Sequence, residues 1–275
     1  NISSGNYSVT VTDNHSCTAS VSATLTQPAL LAVSETHTNI LCNGAATGSI
    51  NITTGGGINP LTFHWNDLVT TQNRTNLIAG NYSLTVIDNN SCSATIAVTI
   101  TQPTALTVSE THTNVLCNGG NSGRIDVTVS GATTPYTYLW NDATTTQDRQ
   151  NVTAGNYSVT ITDNNLCSAS LAISITQPTA LIVSETHTNV LCNAGNTGSI
   201  DVTVSGATFP YTYLWNDATT TQDRSNVAAG NYSVTITDNN LCSASLVVSI
   251  TQPTALTVSE THANVLCNGG NTGSI

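Results

Sequence analysis

The chain has 275 residues, only 7% of them charged, and its 15 acidic residues against four arginines leave a net charge of -11. This acidic balance argues against binding to nucleic acid or to an anionic membrane surface, since both are polyanions. No apolar run reaches the roughly 18 residues of a membrane-spanning helix, so we expect no membrane insertion within this segment.

The sequence repeats every 75 residues. A Gln-Pro pair follows an apolar run in each copy and marks a strand end, because proline cannot donate to a central ladder. This phase predicts complete β-sandwich repeats at 29–103, 104–178 and 179–253. Residues 1–28 are then the C-terminal part of one repeat and 254–275 the N-terminal part of another, which predicts a window from a longer tandem array.

In chain order, the copy 104–178 shows segments of period-two alternation that predict strands. The first, 106–117, changes parity between His112 and Val115, which indicates a bulge or kink. Later segments cover 125–130, 135–140, 157–162 and 170–175, with turn residues between them and no helical periodicity. We therefore predict an all-β fold of tandem immunoglobulin/fibronectin-III-like β-sandwiches with six or seven strands each.

The predicted core is centred on one tryptophan in each repeat. In the strand 135–140, Tyr136, Tyr138 and Trp140 share a face, whereas Leu139 is replaced by His64 in the first copy, as only an outward position tolerates. A tyrosine two residues after a glycine opens a later strand, where such sandwiches place a corner tyrosine. The predicted structural core residues are Trp65, Trp140, Trp215, Tyr82, Tyr157 and Tyr232.

Two clusters of polar residues have ligand chemistry. The Glu-Thr-His run, as at Glu110 and His112, offers two side chains on one strand face, which is too few for a metal site and is typical of a solvated face. The run 163–165, Asp-Asn-Asn, supplies oxygen ligands for calcium at a domain junction, or simply forms a tight turn. No nucleophile, base and orienting acid recur together, so neither an enzyme nor a required cofactor is expected.

Eight regularly spaced cysteines indicate an oxidising compartment. The favoured pairing lies within repeats and leaves Cys17 and Cys267 to partners outside residues 1–275; its bonds are Cys42–Cys92, Cys117–Cys167 and Cys192–Cys242. The alternatives are bonds across a junction, namely Cys42–Cys167 and Cys117–Cys242, or bonds of the Cys92–Cys117 type. The number of strands between the Trp strand and the Gly-x-Tyr strand decides where the two cysteines of a repeat lie. If there is one such strand, we expect both cysteines at the same end of the sandwich; if there are two, we expect them at opposite ends.

Several motifs together resemble the SprB-type repeat of giant cell-surface adhesins of gliding bacteria. They are Cys-Asn-Gly at 117–119, Pro-Tyr-Thr-Tyr-Leu-Trp at 135–140 and Ala-Gly-Asn-Tyr-Ser-Val-Thr-Ile-Thr-Asp at 154–163, followed by Cys167. The resemblance covers every repeat. It implies export by type IX secretion, a very long cell-surface protein, and a role in attachment or gliding motility.

We therefore expect a structural repeat segment of a long extracellular filament or adhesin stalk, at the bacterial cell surface or in a secreted filament. The expected partners are neighbouring repeats of the same chain, like chains in a filament, and surface polysaccharide. The alternative is an array of glycan- or protein-binding modules, multiplied by avidity. Only a few differences between copies, such as Thr134 in one copy and Phe209 in the next, point to that alternative.

Overall fold

The computed structural model describes all residues from Asn1 to Ile275 and contains 20 strands and no helix. No segment therefore forms a helix long and apolar enough to cross a membrane. The first two strands, β1 (Gly5–Thr12) and β2 (Thr18–Leu25), form an antiparallel hairpin. Near the other terminus, residues 254–275 contain a single isolated bridge between Ala263 and Ser274.

The chain divides into two compact units that both draw on the middle repeat. The first unit comprises Asn1–Ser109, Thr128–Thr145 and Val159–Leu171, and the second comprises Glu110–Val127, Thr146–Ser158 and Ala172–Ile275. Each unit therefore holds one complete six-stranded sandwich and one part of the strands of 104–178.

The complete sandwich of the first unit has two three-stranded antiparallel sheets, ordered β3-β4-β6 and β5-β7-β8. Its core is formed by alternate residues of these strands, among which Ile50, Leu84 and Val86 are fully buried. The strands are β3 (Ala32–Thr38), β4 (Gly48–Gly55), β5 (Thr62–Trp65), β6 (Arg74–Leu77), β7 (Gly80–Ile87) and β8 (Ser93–Ile100).

The strands of the middle repeat follow the same order, in sheets β12-β10-β9 and β11-β13-β14. They are β9 (Thr107–Thr113), β10 (Gly123–Ser130), β11 (Thr137–Trp140), β12 (Arg149–Val152), β13 (Gly155–Thr162) and β14 (Ser168–Ile175). The parity change predicted as a bulge coincides with the end of β9 at Thr113. Beyond it, Val115 is buried and its N–H donates to the Thr176 carbonyl.

The complete sandwich of the second unit has sheets β15-β16-β18 and β17-β19-β20. Its strands are β15 (Ile182–Thr188), β16 (Gly198–Ser205), β17 (Thr212–Trp215), β18 (Arg224–Val227), β19 (Gly230–Thr237) and β20 (Ser243–Ile250). Residues such as Ile200, Val202 and Ile236 fill its core. Because successive side chains of a strand point to opposite faces, alternate residues of these strands are buried between the sheets and the others are exposed.

Each sandwich has two distinct ends. At the leading end the chain begins the repeat, and Ala207 N–H donates to the Thr179 carbonyl at 3.0 Å. At the trailing end the chain leaves, and Val190 N–H donates to the Thr251 carbonyl at 3.0 Å. The same two contacts fix both ends of the first sandwich, through Gly57 to Ala29 and Ile40 to Thr101.

The two shortest strands, β17 and β18, together make one pass from the leading to the trailing end. Strand β17 runs antiparallel to β19 in one sheet, and β18 runs antiparallel to β16 in the other. The chain changes sheet between β17 and β18. Over this stretch, side chains satisfy the backbone groups of β16 that a neighbouring strand would otherwise bond: Gln222 Nε2 donates to the Val202 carbonyl at 2.6 Å, and Asp223 Oδ1 accepts from Val202 N–H at 2.9 Å.

This shared pass overturns the favoured cysteine pairing. One strand, β18, separates the Trp strand from the Gly-x-Tyr strand, and we expected that count to place both cysteines of a repeat at one end. The expectation was wrong because β17 and β18 run in the same direction and produce no reversal between them. Cys192 therefore lies at the trailing end and Cys242 at the leading end. The structure contains neither Cys192–Cys242 nor the equivalent bonds Cys42–Cys92 and Cys117–Cys167.

Candidate functional site: the disulfide-bonded repeat junctions

The leading end of each sandwich is organised by a buried aspartate. Asp238 is 3% exposed. Its Oδ1 accepts from the N–H groups of Asn240 and Cys242 at 2.9 and 2.8 Å, and its Oδ2 accepts from Thr208 N–H at 3.0 Å. These bonds form the tight turn that precedes β20 and hold the cysteine at a fixed position. Calcium binding by this run stays a prediction.

The equivalent Asp88 shows the electrostatics of this turn. Burial acts to raise the pKa of Asp88, but N–H donors from Cys92, Ile58 and Asn90 outweigh it and lower the pKa below its ordinary value. The carboxylate is therefore held in its charged form by backbone donors. The turn around Asp88 holds Cys92 in position in the same way that the turn around Asp238 holds Cys242.

The start of each repeat is packed against a glycine of the leading end. Gly131 has a φ of +81°, and a Cβ there would overlap sterically with the Ala105 carbonyl oxygen. The adjacent Ala132 N–H donates to the Thr104 carbonyl at 2.9 Å. Only glycine allows this close approach of two backbone segments, so the linker residues are held directly on the sandwich that they begin.

Gly131→Ala should therefore lower the free energy of unfolding by about 3 kcal/mol, from backbone strain and steric overlap together. Gly119→Ala is the matched control. Gly119 also has a positive φ, +73°, but nothing lies within 4 Å of its added Cβ, and the equivalent Ala194 already adopts a φ of 58°. The control should cost about 1 kcal/mol or less. Equal losses in chemical denaturation would contradict this account of the linker.

At the trailing end, the Cys-Asn-Gly motif holds the Gln-Pro pair. Asn118 Nδ2 donates to the Pro178 carbonyl at 3.0 Å, and Gly119 N–H donates to Gln177 Oε1 at 2.8 Å. The same two bonds join Asn43 and Gly44 to Pro103 and Gln102 in the first unit. Sequence analysis missed this role of the glutamine and asparagine, although their constant separation in all copies was a usable signal.

A disulfide joins consecutive repeats at each of the two junctions between complete repeats. In the first unit it is Cys42–Cys167 and in the second Cys117–Cys242, each with its Cα atoms 5.6 Å apart. A side-chain amide supports each bond: Asn165 Nδ2 donates to the Leu41 carbonyl at 3.1 Å, and Asn240 Nδ2 to the Leu116 carbonyl at 3.0 Å. The trailing end of one repeat is thus bonded to the leading end of the next.

The remaining cysteines, Cys17, Cys92, Cys192 and Cys267, are unbonded and exposed. Both observed disulfides join cysteines 125 residues apart. In each bond the trailing-end cysteine comes first in the sequence, and the same spacing in the same direction takes all four of these cysteines outside residues 1–275. Partners outside this range, expected at first only for Cys17 and Cys267, are therefore also predicted for Cys92 and Cys192.

An open groove accompanies each disulfide. In the second unit it has a volume of 320 Å³, and in the first unit a volume of 300 Å³. No charged side chain lines either groove. The groove of the second unit is lined by Cys117, Asn118, Pro178, Thr179, Ala180, Leu181, Ala207, Cys242 and Ser243.

Away from the junctions, the tryptophans predicted as core residues lie inside the sandwiches. Trp65, Trp140 and Trp215 are 3%, 2% and 2% exposed. The predicted corner tyrosines are half-buried, and each hydroxyl donates to a carbonyl four residues earlier. These bonds are Tyr82 to Ile78, Tyr157 to Thr153 and Tyr232 to Ala228, at 2.9–3.0 Å.

An arginine lies between the tryptophan and the tyrosine. The Arg224 guanidinium carbon is 5.2 Å from the Trp215 ring and 5.6 Å from the Tyr232 ring. Its two terminal nitrogens also donate to Asp217 at 3.1 and 2.7 Å. A planar guanidinium stacks and forms a two-point ion pair at once, which lysine cannot do. Arg74 repeats the arrangement with Trp65, Tyr82 and Asp67.

Acid should weaken this arrangement. The hydrogen bonds from Arg224 and Thr219 hold the pKa of Asp217 well below its ordinary value of 3.8. A depressed folded-state pKa gives stability that is fully present above about pH 4 and is lost as the pH falls through the folded-state value. We expect Arg224→Gln to be less stable than wild type at pH 7, with a smaller difference at pH 2. A difference independent of pH in denaturation curves would contradict the assignment.

Three of the predicted Glu-His pairs lie on the first strand of a complete repeat, and the fourth, Glu260 and His262, lies outside the strands. His112 Nδ1 is 3.0 Å from Glu110 Oε2, and the pairs of the other copies have the same geometry. No group of three or more His, Cys, Asp or Glu side chains has the proximity that a metal ion requires. The pairs therefore act on each other as surface ion pairs when the imidazole is protonated.

The paired three-stranded sheets, the 75-residue period and the bonded junctions define a class: an all-β protein of tandem immunoglobulin-like sandwiches. Three stretches of the chain, residues 34–70, 109–145 and 184–220, match the SprB repeat. These stretches identify SprB repeats in the chain, as the sequence resemblance predicted. Together with the disulfides, these repeats indicate an extracellular protein.

Comparison with solved structures finds chains of partial similarity. No curated protein matches the chain. Sidekick-1 immunoglobulin domains 1–5 align over 90% of this chain and 66% of theirs, at 11% identity and a TM-score of 0.36. The eight N-terminal Ig domains of Down Syndrome Cell Adhesion Molecule align over 90% and 51%, at 11% identity and 0.30. Surface layer protein SbsC, domains 1–6, aligns over 92% and 45%, at 12% identity and 0.28. The chain spans less than two thirds of each.

Proposed function

We propose that this chain is a structural segment of a long extracellular filament or adhesin stalk at the bacterial cell surface. The observation that carries the proposal is the disulfide between the trailing end of one repeat and the leading end of the next, Cys42–Cys167 and Cys117–Cys242. A bond at this place restricts the movement of consecutive repeats. A binding module that acts independently has no need of it.

The contacts around the disulfide support the same role. The glycine at the leading end and the hydrogen bonds of the Cys-Asn-Gly motif to Gln-Pro restrain the few residues that connect two repeats, and the asparagine amide joins the two repeats beside the disulfide. Because these residues recur with the period of 75, each added repeat extends the array by the same connection. We further propose export by type IX secretion and a part in attachment or gliding motility, on the basis of the SprB repeats.

The stalk proposal is tested by the spread of distances between the chain ends. Fluorophores attached through peptide tags at both termini report this distance by single-molecule energy transfer. We expect a narrow distribution for the oxidised chain and a broad one for the variant with serine at Cys42, Cys167, Cys117 and Cys242. A distribution that is broad in both, or unchanged by the substitutions, would refute the role of these bonds in a stiff stalk.

The cellular part of the proposal needs a separate test. Antibodies raised against the repeats should label intact cells and reduce their attachment to a surface. Labelling only after the cells are permeabilised would refute a location at the cell surface. Labelling without an effect on attachment would refute the adhesive role and leave the structural one.

A second candidate function, recognition of a neutral surface polysaccharide, is favoured by one aromatic patch. Phe209 is 78% exposed and packs edge-on against Tyr211, with ring centroids 5.8 Å apart. An open groove of 310 Å³ lies between these rings, Tyr213 and Gln222. The equivalent of Phe209 is Thr134 in the middle repeat, so this patch is particular to 179–253.

Phe209→Thr tests this candidate with a side chain that the middle repeat already carries at the equivalent position. If sugar rings stack on the patch, retention of the chain on immobilised neutral polysaccharides such as dextran or agarose should fall at least tenfold. Tyr157→Phe, outside the patch, serves as the control. Equal retention of wild type and Phe209→Thr would remove the candidate.

A further inference from the structure

The two disulfides overlap along the sequence. Each joins cysteines 125 residues apart, and Cys117 lies inside the loop closed by Cys42–Cys167 whereas Cys242 lies outside it. A single cut in the backbone anywhere between residues 43 and 241 is therefore bridged by at least one disulfide. Bonds within repeats would leave the linkers between repeats unbridged.

We propose that these overlapping bonds form a tension-limiting device, in which the backbone and at least one disulfide span every point between Cys42 and Cys242. The device limits how far the chain extends under tension, and it keeps the chain joined when one disulfide or one peptide bond is lost. This inference depends on the connectivity alone. It therefore stands or fails independently of whether the protein is a stalk, an adhesin or a binding array.

Tension on the two termini is carried by the shortest covalent route between them. With both bonds present, that route passes from Cys42 to Cys167, back along the chain to Cys117, and across to Cys242. The segments 43–116 and 168–241 then lie outside the route and remain slack. They include β4–β8 of the first sandwich and β15–β19 of the second, so most strands of both complete sandwiches are relieved of load once the bonds are taut.

The overlap makes the effects of losing the bonds unequal. Compared with the oxidised chain, loss of either bond lengthens the route by about 25 residues, or about 85 Å at about 3.4 Å per residue. Loss of the remaining bond lengthens it by about 125 residues more, or about 425 Å. Either bond alone thus retains most of the limit on extension. Separate bonds within repeats would instead add about 50 residues each, whichever was lost first.

Force spectroscopy with optical tweezers measures these lengths directly. The full 275-residue chain is held through peptide tags at its termini. Serine at Cys17, Cys92, Cys192 and Cys267 removes the four unbonded thiols and prevents exchange. In this background the oxidised chain is compared with three variants: Cys42→Ser with Cys167→Ser, Cys117→Ser with Cys242→Ser, and all four substitutions together.

We expect the two single-bond variants to gain the same length at full extension, about 85 Å, and the variant with neither bond to gain about 510 Å. Equal additive gains, or no gain when both bonds are absent, would overturn the proposal. Extension in guanidinium of chains oxidised beforehand gives a second readout that does not require the variants to stay folded, because connectivity alone sets the final length. Failure of this test leaves the end-to-end test of the stalk unaffected.

Discussion

Replacement of Cys117 and Cys242 together by serine should lower the free energy of unfolding by about 2–4 kcal/mol. The bond closes a loop of 125 residues, and in the chain-entropy description long loops restrict the unfolded state most. The loss should appear as a lower midpoint in guanidinium denaturation of the oxidised protein, and it should vanish when wild type and variant are compared in a reducing buffer.

Serine at Cys92 and Cys192 is the matched control, because it also removes two sulfur atoms but from exposed, unbonded positions. The control should change stability by less than about 0.5 kcal/mol. If it costs as much as the junction pair, or if reduction leaves the difference between wild type and the junction variant intact, the stabilising effect of the bond is refuted.

Trp215→Ala should lower the free energy of unfolding by about 3–5 kcal/mol, the range for removal of a large aromatic side chain from a core. Trp215 is 2% exposed, and its indole N–H donates to the Thr221 carbonyl at 2.8 Å. The substitution opens a cavity, leaves that carbonyl without its donor, and removes the ring on which Arg224 stacks. Chemical denaturation measures the loss.

The neighbouring residue provides the control for the tryptophan. Leu214 belongs to the same strand but points outward and is 56% exposed. Leu214→Ala should therefore cost less than about 1 kcal/mol. Comparable losses for the two variants would show that the assignment of the buried face of β17 is wrong.

The strands and the buried faces were predictable from the sequence because burial on one side imposes a period of two. Comparison of Leu139 with His64 separated the outward positions from Trp140 without any structure. The end of β9 was less clear: Val115 is buried after the strand has ended, so the change of parity resembled a bulge.

The cysteine pairing was not predictable from a strand count. The count of one intervening strand was right, but the direction of that strand depends on the hydrogen bonds of Gln222 and Asp223 to Val202, which move the chain from one sheet to the other. Alternation of residues reports which face is buried and carries no information about strand direction. The favoured pairing failed at this step, and the cross-junction alternative matches the structure.

The junction contacts escaped prediction for a related reason. Asn118 and Gln177 are 59 positions apart in the sequence. Both are polar, so the alternation of apolar residues gives no information about their contacts. The stacked arginine was equally hidden, since an arginine in an exposed strand resembles any solvated charge. The constant separation of the asparagine and glutamine indicates a shared role, but the structure is needed to show which groups they contact and where the arginine stacks.

A non-reducing tryptic map shows which cysteines are bonded and therefore tests whether disulfides join consecutive repeats. With thiols blocked and the chain denatured, cleavage after Arg74, Arg124, Arg149 and Arg224 gives five fragments. The structure predicts that 1–74 is linked to 150–224, that 75–124 is linked to 225–275, and that 125–149 is released alone. A link between 1–74 and 75–124 would instead show pairing within a repeat and would contradict the account.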